Sequence, residues 1–94
     1  MDDQQKRDAR REYKEAERDR ARGAMVLDEV QLSDLLDYLD DHVAEAGCDH
    51  TLRFTEAWAT ERGIESPALV RSVQHFGGHC DCEVVANVEP ESIF

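Results

Sequence analysis

All three cysteines of this 94-residue chain fall in two short clusters, Cys48-Asp49-His50 and Cys80-Asp81-Cys82. In an extended backbone, side chains two residues apart project to the same side, so each cluster can offer two ligand atoms to one ion. Together they make a Cys₃His set, a common closed tetrahedral environment for structural zinc. Three cysteines cannot all pair with one another, and a two-residue spacing strains a disulfide, so a disulfide framework is not expected. The spacing predicts one structural zinc ion held by Cys48, His50, Cys80 and Cys82. His79 is the alternative fourth ligand or a supporting group beside the site. The plainer reading is three inert thiols in a core with an unrelated histidine, since free cysteine is often buried. That every cysteine of the chain sits in such a cluster favours ligation.

The length makes such a staple useful. Below about 70–80 residues a single apolar core rarely supplies more than about 3–5 kcal/mol. Structural zinc binding contributes on the order of 10–16 kcal/mol of apparent free energy at neutral pH. The ion would tie the end of the chain to its middle. Three thiolates around a dication leave a net charge of minus one beside Asp49 and Asp81. The start of the helix that follows His50, together with Arg53, is expected to offset it. Both aspartates are expected to point away from the site, with Asp49 available to cap that helix.

Hydrophobic periodicity places the clusters between helices. Residues 1–26 read as a charged, solvent-exposed helical arm, with opposite charges three apart at Asp8–Arg11, Glu15–Arg18, Glu17–Arg20 and Asp19–Arg22. Residues 27–94 read as the packed domain. Asp28 with Gln31 forms a capping-box pattern, and Leu32, Leu35, Leu36, Leu39 and Val43 recur at helical spacing up to Gly47, predicting a helix over 29–46. A second helix is predicted over 51–62, with Phe54 and Trp58 on one face and Gly63 at its end. A third has Ser66 as N-cap and Pro67 at its first position, turns Ala68, Val70, Val73 and Phe76 inward, and stops at Gly77-Gly78. The β-branched tail HCDCEVVANVEP predicts a short strand or extended segment. The fold class is therefore mainly α: a three-helix domain with a short C-terminal extended or β segment and a zinc site, preceded by a charged helix.

Charge limits the partners. Through Arg22 the chain carries eight basic and seven acidic residues; from Gly23 onward it carries three arginines against fifteen acids. Such a body repels phosphate, which argues against nucleic acid and anionic membranes and in favour of a basic protein partner. No apolar stretch resembles a secretory or membrane-spanning segment, so a cytoplasmic protein with reduced thiols is expected.

The strings CDHTLRFTEAW and GGHCDCEVVANV, at this separation, closely resemble the small bacterial proteins grouped as domain of unknown function 2695. The resemblance covers roughly residues 28–90 and leaves the charged arm outside. It maps the family's Cys-Asp-His-Thr onto Cys48 to Thr51 and its Cys-Asp-Cys-Glu-Val onto Cys80 to Val84, while His79 falls at a variable position. It implies a shared fold and a metal site, and it implies no activity.

Three functions compete. A structural-zinc interaction module needs only a closed site and a surface for a protein partner. A metal-dependent hydrolase needs an open coordination position and a base such as Glu83 or Asp81. A zinc- or redox-responsive switch would eject the metal on oxidation and loosen the domain. Four ligands and the lack of a pocket-lining constellation favour the module.

Overall fold

The capping box read from Asp28 and Gln31 forms as expected. The Asp28 carboxylate accepts from Gln31 N at 2.7 Å, and the Gln31 side chain accepts from Asp28 N at 2.9 Å. It starts the longest helix of the computed structural model, which describes residues 15–94. Helix α1 covers 15–24 within that range, and the arm's first fourteen residues, with the Asp8–Arg11 pair, lie outside it. Then follow α2 (Glu29–Ala46), α3 (Arg53–Arg62), α4 (Ser66–His75), α5 (Asp81–Asn87) and α6 (Pro90–Ile93). Among the described residues there is no strand, and no helix is long and apolar enough to cross a membrane.

The main correction to the sequence reading is the tail. Residues expected to be extended form α5 and α6. The spacing explains why. Val84 and Val88, four apart, are fully buried, whereas Val85 lies at the surface with 36% exposed. A strand would turn alternate residues inward; this stretch turns every fourth. Asp81 and Glu83 in the first turn suit a helix N-terminus, and Pro90 opens α6 at a position where its missing N–H is harmless. Burial against the rest of the protein thus overrides the β preference of valine.

Helix α2 is the central element, packed against α3, α5 and α6, while α3 also meets α4 and α5. Leu32, Leu35 and Leu39 are fully buried, and Leu36 is half-buried at the edge of the same stripe. Trp58 is almost wholly buried, with its indole N–H donating to Asp34 Oδ2 at 3.0 Å. Arg62 meets the same oxygen at 2.9 Å, so the indole and the guanidinium beside Asp34 hold its carboxyl below the usual range. In α4 the inward face centres on Leu69, Ser72 and Val73; Ala68, Val70 and Phe76 flank it. Ser66 is the first helical residue of α4 and not its cap, a shift of one position. The Ser72 hydroxyl donates to Ala24 O at 2.9 Å and accepts from Val26 N at 3.2 Å, fixing the α1–α2 link, whose Met25 is buried, against α4.

Gly78 sets how closely α5 follows α4. A Cβ there would lie 2.7 Å from Val84 Cγ2 and 3.1 Å from Val73 O, and neither neighbour can retreat within a filled core. Gly78→Ala is expected to destabilise the domain by about 1–3 kcal/mol through overpacking. A thermal melt should show a lower Tm by several degrees; an unchanged Tm would mean that α5 is not packed this closely.

Candidate metal centre

The two cysteine clusters meet because an aspartate from one caps a helix beside the other. Helix α3 begins with Leu52 at its N-cap, a residue that offers no side-chain acceptor. Its free amides are satisfied from elsewhere in the chain. Asp81 is 1% exposed; its Oδ2 accepts from Phe54 N at 3.0 Å, and its Oδ1 accepts from Thr55 N at 3.0 Å and Thr55 Oγ1 at 2.7 Å. The Asp81 backbone N–H also donates to Thr51 O at 3.0 Å. A carboxylate buried at a helix N-terminus with three donors has its charge compensated by hydrogen bonds and by the helix dipole.

This arrangement places the sulfurs. Cys80 is the N-cap residue of α5 and Cys82 lies two positions on, either side of the anchored Asp81. Cys48 lies just past Gly47, which ends α2 with φ 76°. The Sγ atoms of Cys48, Cys80 and Cys82 all lie within 4.8 Å of one another, and those of Cys80 and Cys82 are 3.3 Å apart. A tetrahedral zinc ion with Zn–S bonds near 2.3 Å requires its sulfurs roughly 3.8 Å apart. The donor set therefore fits a zinc-sized ion after changes of no more than about 1 Å in the S···S distances. Cys80 is buried, Cys48 half-buried and Cys82 exposed.

The imidazoles of His50 and His79 lie outside this sulfur group. Both residues are exposed, and His50 adopts a left-handed backbone with φ 66°. That conformation interrupts any helix before Arg53, which is why α3 begins two residues later than the sequence pattern suggests. The structure thus brings together three of the four predicted ligands.

The neighbours expected to balance the site behave differently from the sequence reading. Asp49 does not cap α3. It accepts from Thr51 N at 3.1 Å and Thr51 Oγ1 at 2.5 Å, closing a short turn, and the Thr51 hydroxyl holds its carboxyl below the ordinary range. Arg53 pairs with Asp49 at 3.5 Å, donates to Gly47 O at 3.3 Å and lies over the Phe54 ring at 4.4 Å. Backbone amides act on the sulfur instead. The N–H groups of Cys82 and then His50 pull the Cys48 thiol down. At Cys80 the Glu83 N–H pulls the same way, but burial and the adjoining Cys82 and Cys48 sulfurs prevail, and the thiol is pushed up to about 12. Burial thus disfavours the charged form of Cys80, and a dication at the sulfurs would act in the opposite sense.

Asp81 is the functional residue that the spacing argument did not identify. No local signal pointed to it, because Asp49 stood nearer as a cap and only the structure places the N-cap of α3 at Leu52, which has no side-chain acceptor. Asp81→Ala leaves two amides and a hydroxyl without their acceptor. A loss of at least about 2 kcal/mol is expected from chemical denaturation, whereas Asp49→Ala on the exposed turn should change stability by less than about 1 kcal/mol. Equal effects from the two substitutions would refute the anchoring role.

Comparison with known proteins agrees with the motif reading. The sequence model of the family described as "Protein of unknown function (DUF2695)" matches residues 35–87, a stretch holding both cysteine clusters. The uncharacterised proteins Mb2294 of Mycobacterium bovis and Rv2271 and MT2332 of Mycobacterium tuberculosis are each 49% identical to this chain over 82 residues. Each alignment covers 87% of this chain and 83% of the relative. No solved structure matches.

Proposed function

We propose that this chain, which belongs to the DUF2695 family, works as a small zinc-stapled protein-interaction module. The observation that carries the reading is the approach of three sulfurs from segments more than thirty residues apart in sequence to within 4.8 Å. Thiolate donors select zinc or other thiophilic ions over hard cations. Cys48, Cys80 and Cys82 supply three ligands, and His50, on the exposed turn beside Cys48, swings in to complete the tetrahedron. The ion is structural. Both oxygens of Asp81 are engaged at α3, which removes one of the two bases a hydrolytic reading would use. Asp37, Asp40, Asp41 and Glu45 lie exposed on α2, a surface suited to a basic protein partner.

Native mass spectrometry of the purified full chain should show one zinc ion per chain, and Cys82→Ser should lose it together with several degrees of Tm. His50→Ala should weaken zinc binding at least about tenfold and alter the ligand-field absorption of the cobalt-substituted protein. An unchanged cobalt spectrum would move the fourth position to His79 or water. A zinc-free protein that still melts as sharply as the wild-type preparation would end the proposal.

A further inference from the structure

The same three sulfurs differ in their access to solvent, and that difference has a chemical consequence. Cys82 is exposed and Cys48 half-buried, while Cys80 is buried. We propose that Cys82 and Cys48 are a peroxide-sensitive pair whose disulfide replaces the ion as the link between the two cysteine segments. The proposal rests on the metal reading for what is displaced; the bridge itself depends only on the placement of the sulfurs.

Geometry decides the pairing. The Sγ atoms of Cys48 and Cys82 lie within 4.8 Å, so closing to a bond near 2.05 Å needs a shift of less than about 3 Å. The Cys48 side can supply it, because residues 48–50 are neither helix nor strand and precede the Thr51 carbonyl that holds Asp81. Cys80 is nearer to Cys82, at 3.3 Å, yet it is the worse partner. A bridge between residues two apart would twist the peptide units around Asp81, and that residue is held by three carboxylate bonds and its own N–H to Thr51 O. Oxidation at Cys80 and Cys82 would therefore break the cap of α3, whereas oxidation at Cys48 and Cys82 leaves it intact.

The step balances with a hydroperoxide as the oxidant. The Cys82 thiolate attacks one peroxide oxygen, the O–O bond breaks, and a sulfenic acid and water form once a proton is taken up. The Cys48 thiolate then attacks the Cys82 sulfur; the S–S bond forms, the S–O bond breaks, and a second water leaves after another proton is taken up. The two sulfurs lose two electrons and the peroxide gains them. Zinc is not oxidised or reduced; it loses two of its thiolate ligands and dissociates. Because the disulfide joins the same two segments, the domain keeps a cross-link when the ion leaves. Simple loosening on oxidation, the expectation for a generic thiolate switch, is not what this placement favours.

The test is hydrogen peroxide titration of the zinc-loaded full chain, with ion content measured beforehand. Released zinc is followed with a chromophoric chelator, and bridges are located by mass spectrometry of unreduced peptides. One ion should leave per Cys48–Cys82 bridge formed, and the oxidised chain should melt above the reduced chain stripped by chelator. Cys80→Ser should still form the bridge, and Cys48→Ser should not. A dominant Cys80–Cys82 bridge, over-oxidation to sulfinic acids without any bridge, or an oxidised form melting no higher than the stripped one would each overturn the inference. A chain that holds no zinc at the outset yet forms the Cys48–Cys82 bridge would support the pairing and count against the metal reading alone.

Discussion

A buried carboxylate is tolerated only where donors surround it, and among the described residues Asp81 is the buried acid that meets the requirement. The Asp81 carboxylate lies against the start of α3 and takes two backbone amides and a hydroxyl. Losing any of these partners would leave a charge or an amide unsatisfied in the interior, a cost comparable to a large part of a small domain's net stability. The position of Asp81 is therefore strongly constrained. Because Cys80 and Cys82 are its immediate neighbours, their positions are constrained with it. The alternation of aspartate and cysteine in the second cluster thus serves two purposes: the middle residue anchors the segment inward and the outer two present sulfur beside Cys48.

The packing around this anchor explains why α5 is helical. Once Asp81 is fixed at its first position, a helix packs against α2 and turns Val84 and then Val88 inward, where both are fully buried. Gly78 lets the chain turn from α4 into α5 without a Cβ against Val84. Each feature makes the others consistent, which is the condition for a short segment of modest helix propensity to adopt one conformation. On its own, a seven-residue helix with two adjacent valines would not persist in water.

Local signals in the sequence were reliable where the structure depends on local chemistry. The Asp28–Gln31 capping box, the leucine stripe of α2 and the glycines after α2 and α3 all act where the pattern places them. The cysteine spacing correctly brought Cys48, Cys80 and Cys82 to one locus. Partnerships across long separations were harder to read. The cap of α3 comes from a residue 26 positions from Thr55, and no periodicity reports such a bond. The tail was misread because β-branched composition was weighed above the four-residue spacing of Val84 and Val88. Arg53 pairs with Asp49, an acid four positions before it.

Charge balance links the site to the fold more tightly than ligand geometry alone. Three thiolates in a protein of net charge −11 would lie in an unfavourable field, and Arg53 is engaged by Asp49 and by the face of Phe54. The compensation that acts on Cys48 comes from the backbone N–H groups of Cys82 and His50, and that on Cys80 from Glu83. Backbone dipoles point at sulfur only while the turn after α2 and the start of α5 keep their shape. A side chain could follow a displaced ligand, whereas these amides cannot. A cation held by these sulfurs would therefore be coupled to the fold, each favouring the other by the same free energy.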